Sequence, residues 1–94
     1  MPRIEIEGFV FDEANEEKIG AHGLTIAQVD QILDESYVVV LNRKGRRAPL
    51  LLVGHDHGGT CIATPIEPSH YDGWWRPITA WRCKLVEQRL VEGS

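Results

Sequence analysis

Residues 74–92, WWRPITAWRCKLVEQRLVE, decide how the chain is read. Trp74 to Ile78 is an aromatic and aliphatic run suited to a strand, and Pro77, which has no amide hydrogen for a ladder, marks a strand end, an edge or a bulge. Thr79 offers an N-cap directly after it, and a final helix that buries some mix of Cys83, Val86 and Leu90 follows. A strand running into a C-terminal helix is therefore predicted. Adjacent strand residues point to opposite faces, so only one of Trp74 and Trp75 can be fully inside, and the other is a candidate for a partner surface.

Working back from that junction, residues 67–73, EPSHYDG, are rich in turn formers and read as a surface loop. Before it, Ala48 to His55 and Thr60 to Ile66 read as strands turned at Asp56-His57-Gly58-Gly59. Pro49 and Pro65 mark further ends, edges or bulges. Tyr37 to Leu41 is a continuous β-branched and aliphatic run, predicted as a strand buried on both faces and turned back at Asn42-Arg43-Lys44-Gly45. Thr25 and Gln28 form a capping box, with Leu24 and Val29 placed for a hydrophobic staple. The helix they open puts Val29, Ile32 and Leu33 on one face and runs to about Glu35. Asp12 caps an earlier helix with Glu13 and Glu16 in its first turn, a thin apolar face of Ala14 and Ile19, His22 as a C-terminal cap and Gly23 as a left-handed stop. Ile4-Glu5-Ile6-Glu7 alternates strictly and reads as a short first strand ended by Gly8. The order is strand, two helices, four strands, helix, an α+β layer arrangement in which a curved antiparallel sheet of short strands carries a helical hairpin and a C-terminal helix.

Ninety-four residues supply one core, so residues 1–94 form one domain, and 43% hydrophobic with 26% charged residues is the composition of a folding chain. The longest aliphatic run, Leu50 to Val53, falls far short of the roughly 20 residues a membrane span needs, and the acidic start is unlike a signal peptide. A cytoplasmic protein with no membrane partner is expected. On that ground Cys61 and Cys83, each within an apolar pattern, are expected to be buried free thiols. The net charge of -4 hides an asymmetry. Residues 1–40 carry nine acids against Arg3 and Lys18, while residues 41–94 carry eight Arg or Lys against five acids. Any anion site belongs to the second half.

Two segments resemble the BrnT family of small RelE-like bacterial toxins. FDEANEEKIGAHGLT, residues 11–25, is similar to the family's opening, and ITAWRCKLVEQRL, residues 78–90, is similar to its strand-to-helix segment of the form I-[ST]-A-R-R-A with a following Glu-Arg pattern. Ile78, Thr79, Ala80, Arg82, Glu87, Arg89 and Leu90 fall on that pattern. Trp81, Cys83, Leu85, Val86 and Ala21 depart from it, and all of these but Cys83, which stands for an Ala, remove positive charge. The resemblance implies a RelE-like fold and the toxin of a type II toxin–antitoxin system, an endoribonuclease neutralised by a ribbon-helix-helix antitoxin. It implies operator DNA binding only through that antitoxin.

Cleavage through a ribose 2′-hydroxyl needs a general base, an acid for the leaving oxygen and cations over the charged transition state. His55 and His57, which bracket a turn, can serve as acid or base, and Arg76 and Arg82 flank Thr79, where helix N-terminal amides favour phosphate. Solvated turn residues are the plainer reading of the histidines. Arg43, Lys44, Arg46 and Arg47 are either a soluble hairpin tip or a landing site for RNA phosphates or an acidic antitoxin segment. Trp75 is a candidate for stacking or partner contact, against the plainer reading of a core anchor. His55 and His57 lack a Cys pair or HExxH spacing, so no metal is predicted, and no cofactor. Homo-oligomerisation is left open. Two readings stand side by side: an endoribonuclease toxin, and a non-catalytic toxin-like protein-interaction module favoured by the acidic N-terminal half.

Overall fold

The computed structural model describes residues 4–42 and 48–92. It is an α+β structure in which helices cover both faces of a mixed six-stranded sheet. The elements are β1 (Gly8–Phe9), α1 (Glu13–Ala21), α2 (Ile26–Gln31), a 3-10 turn (Ile32–Asp34), β2 (Tyr37–Leu41), β3 (Leu50–His55), β4 (Cys61–Pro68), β5 (Trp74–Pro77), β6 (Trp81–Arg82) and α3 (Leu85–Glu92). The sheet runs β1-β5-β4-β3-β2, with β6 beside the first half of β4. The four strands expected after the helical hairpin, β2 to β5, pair antiparallel, and the sheet is mixed because the N-terminal strand β1 lies parallel to β5.

Local capping places the two N-terminal helices. Asp12 accepts the Asn15 N–H at 2.8 Å, and α1 closes at His22 with Gly23 at φ +77°. Ala14 is exposed and Asn15 takes the buried position, correcting the predicted apolar face. The capping box of α2 is complete, with Thr25 Oγ1 accepting from the Gln28 N–H and Gln28 Oε1 accepting from the Thr25 N–H. The alternation at Ile4–Glu7 is real, since Ile4 and Ile6 pack against the core, but strand pairing begins only at Gly8. Gly8 begins the paired strand rather than ending it, and the Trp74 ring fills the space that a Cβ there would take.

Strand parity sorts the core into two layers. Leu50, Leu52, Ile62 and Ile66 meet Ile19, Leu24, Val29 and Ile32 on the face under α1 and α2. Val53 and Ala63 are buried on the opposite face, where α3 packs against β3 and β2. β2 is an edge strand, half-buried along Tyr37–Val40 with Leu41 exposed, and is not enclosed on both faces as expected.

The junction that opened the sequence reading differs most. Thr79 caps no helix. The chain breaks its pairing at Ile78–Ala80, resumes it as β6, and enters α3 only at Leu85. Arg76 pairs with Glu67 and Arg82 with Ile62, so six steps along this chain oppose five along β4, which is one extra residue and hence a β-bulge. Pro65 sits opposite the break. A strand residue's N–H and C=O point the same way, and the Pro65 carbonyl accepts from the Ile78 N–H at 2.9 Å, so the amide hydrogen it lacks would also face the bulge. Cys61 and Cys83 face each other across this pairing and form a disulfide, Cα to Cα 5.3 Å, where free thiols were expected. In α3 the expected burial is also reversed. Glu87 is buried, while Val86 is 66% exposed and Leu90 37%.

Candidate functional site

Arg76 lies on β5 beside Glu67, and its guanidinium reaches Asp12, the N-cap of α1, at 2.7 Å, with Glu67 at 3.9 Å. The Asn15 N–H holds the Asp12 carboxyl below the usual carboxylate range; the little burial it has opposes this and the Arg76 charge adds to it. Arg82 lies on β6 and donates from Nη1 to the carbonyl of His22, the residue that ends α1, at 3.3 Å. Each arginine thus meets one end of α1 with the expected polarity: Asp12 and its partner at the N-terminus, a cation at the C-terminus.

The two arginines do not share a site. Their partners on β4, Glu67 and Ile62, are an odd number of residues apart on a strand whose register is continuous, so Arg76 and Arg82 project from opposite faces of the sheet. His55 does share the Arg76 face, through its partner Cys61. Cys61 and Glu67 are separated by roughly 20 Å of strand at about 3.3 Å per residue. His57 belongs to the turn after β3. Its Nε2 is 2.9 Å from Asp34 Oδ2, and its N–H donates to Gln31 Oε1 at 3.0 Å. These four side chains form no acid–base pair around a common phosphate position.

Trp75 packs against the core, and Trp74, 40% exposed, takes the outer position. Together with Val10 and Tyr71, Trp74 lines a shallow apolar depression. Arg76 also borders a polar recess with Glu67, Ser69 and His70. Arg43, Lys44, Arg46 and Arg47 lie outside the described residues. Among the described residues no group of three or more His, Cys, Asp or Glu side chains could hold a metal ion, and no helix is long and apolar enough to cross a membrane.

Sequence reasoning read Asp56 as a turn residue and missed what its carboxylate holds. Burial pushes its carboxyl upward, yet the Gln28 amide at 3.0 Å and the N–H groups of Thr60, Gly58 and Gly59 outweigh that, leaving it below the usual range. Its role is to tie the β3–β4 turn to α2. The signal was present in Asp56-His57-Gly58-Gly59, a turn whose first residue has the side chain that receives the N–H groups two to four positions on.

No protein-family model matches the chain, and no curated protein or solved structure matches it.

Proposed function

We propose that this chain is a non-catalytic, toxin-like protein-interaction module of RelE-like type whose partner is an antitoxin-like protein. The observation that carries the reading is the divergence of Arg76 and Arg82 to opposite faces, each engaged by α1 or its cap. A phosphoryl-cleaving site needs those charges convergent and free to meet developing charge. The apolar side chains left outside, Leu85, Val86 and Leu90 on α3 and Tyr71 with Trp74 beside β1, supply contact surface of the kind used in protein association. The order of a strand, a helical hairpin, an antiparallel run and a C-terminal helix supports the RelE-like assignment. Operator DNA would be reached only through the partner. The proposal keeps the protein in the cytoplasm, where Cys61 and Cys83 would stand as a reduced pair; the disulfide form belongs to an oxidising compartment.

Induction in a bacterium, with a purified RNA assay alongside, tests this. Growth and messenger RNA stay unchanged, wild type and Arg82→Ala are equally inactive on RNA, and a stable complex forms with the product of a neighbouring ribbon-helix-helix reading frame. Messenger RNA loss that Arg82→Ala abolishes would install the endoribonuclease reading instead.

A further inference from the structure

β2 is the terminal strand of the sheet, with β3 on one side only. The Asn42 N–H donates to the Pro49 carbonyl at 3.0 Å, which sets the phase of the β2–β3 ladder. In that phase Asn42, Val40 and Val38 turn their backbone groups toward β3, and Tyr37, Val39 and Leu41 turn theirs outward. Among the described residues, none of those outward N–H or C=O groups has a backbone partner. Monomeric proteins guard such an edge with a charge, a proline, a bulge or a covering segment. Tyr-Val-Val-Val-Leu carries no charge, proline or bulge, its register with β3 is unbroken, and although Ile4–Glu7 borders it at Tyr37, Leu41 at the other end is 72% exposed.

We infer that β2 pairs antiparallel with β2 of a second copy of this chain, joining two sheets into one about a dyad at Val39. Two properties select a copy over another occupant. The first is backbone phase. Centred on Val39, the pairing sets Val39 against Val39 and Tyr37 against Leu41, so every outward N–H and C=O on both strands finds a partner, six hydrogen bonds in all, counted from antiparallel geometry. A two-fold interface must be self-complementary, and this strand is so about its middle residue. The second is charge. Asp34 and Glu35 precede β2, and Arg43, Lys44, Arg46 and Arg47 follow it in sequence. Antiparallel pairing brings the acidic end of each strand toward the basic end of the other, whereas parallel pairing would set like against like. The exposed Leu41 comes to lie against Tyr37 of the copy.

Self-pairing needs no other protein, so it is tested separately from the partner-binding reading, by sedimentation velocity on the purified full chain across a concentration series. The wild type sediments as a dimer. Leu41→Pro removes one outward N–H that has no intramolecular partner, so the strand and its circular dichroism survive while the dimer is lost. Leu41→Lys, which keeps the N–H and places a charge against Tyr37, gives the same result should the proline variant fail to fold. Glu35→Lys weakens the dimer about tenfold, since each exposed charge pair occurs twice about the dyad, and added salt weakens the wild type in the same direction. A wild type that stays monomeric at every concentration overturns the inference, even if the edge takes up an extended segment of another protein. So does a dimer that keeps its affinity in the folded Leu41 variants.

Discussion

The hydroxyl of Thr64 donates to the carbonyl oxygen of Thr79 across 2.7 Å, at the point where β4 faces the bulge between β5 and β6. The extra residue leaves that carbonyl outside the ladder, and Thr64, itself fully buried, supplies the donor in place of a strand N–H. Thr64→Val retains the shape and orphans the carbonyl, at a cost of about 1–3 kcal/mol in urea unfolding. Thr64→Ser keeps the donor and loses only a methyl group, so it should fall well short of that. Equal losses from the two variants would mean that the methyl packing, and not the hydrogen bond, secures the bulge.

A second relay secures α3. Glu87 accepts the Trp81 indole N–H at 3.0 Å and the Lys84 N–H at 2.8 Å, so the third residue of the helix reaches back to its N-cap while holding β6. Glu87→Ala strands both donors and is expected to destabilise the fold by about 2 kcal/mol, with faster hydrogen exchange confined first to residues 85–92. Trp81→Phe removes one donor and leaves the cap bond intact, so helix exchange should change less than overall stability does. Unaltered exchange in α3 of the alanine variant would show that the helix is held by its packing alone.

These two contacts mark the limit of what the sequence could reveal. The Asp12 cap, the Thr25–Gln28 box and the β-branched run at Tyr37 rest on chemistry between near neighbours, and the structure places each of them. Thr79 carried a cap signal of the same kind, but the bulge it belongs to is defined by β4, fifteen residues away. The true start of α3 has Lys84 at its N-cap position, a residue type that announces nothing. Arg76 and Arg82 are an even number apart and would share a face on an unbroken strand; the bulge inverts that parity, and with it the proposed phosphate site. The disulfide was equally hidden, since the approach of Cys61 and Cys83 depends on β6 pairing that no local pattern foretells.

That disulfide gives a third test. It closes a span of 22 residues containing the bulge and all of β5, so opening it frees the unfolded chain by about 3 kcal/mol on the chain-entropy account. Cys61→Ala with Cys83→Ala is expected to lower stability by that order, with β6, which is only two residues long, and α3 loosening before the β2–β3–β4 meander. Alkylation of thiols during cell lysis, followed by mass measurement, reports the state in the cell. Two blocked thiols indicate the reduced cytoplasmic form, and none indicates a protein matured under oxidising conditions.

Asp56 predicts how stability falls with acid. Its carboxyl is depressed in the folded protein because, against the opposing effect of burial, it receives the Gln28 amide and the turn N–H groups. A group depressed on folding contributes stability that is fully present above its unfolded pKa, near 3.9, and is lost as pH falls through the lower folded value. The wild type should therefore lose stability progressively below about pH 4. Asp56→Asn keeps an acceptor oxygen for only one of Thr60 and Gln28, which donate to different carboxylate oxygens of Asp56, and it cannot titrate, so it should begin less stable near neutrality and show a shallower acid limb. Asp56→Ala leaves the Gln28 amide and the Thr60 N–H without their acceptor and should cost about 1–3 kcal/mol at neutral pH, with the β3–β4 turn detaching from α2. Urea titrations of the three proteins between acid and neutral pH decide the matter. An asparagine variant whose acid limb has the wild-type slope would assign the acid sensitivity to other carboxylates, Asp12 first among them because it too is depressed.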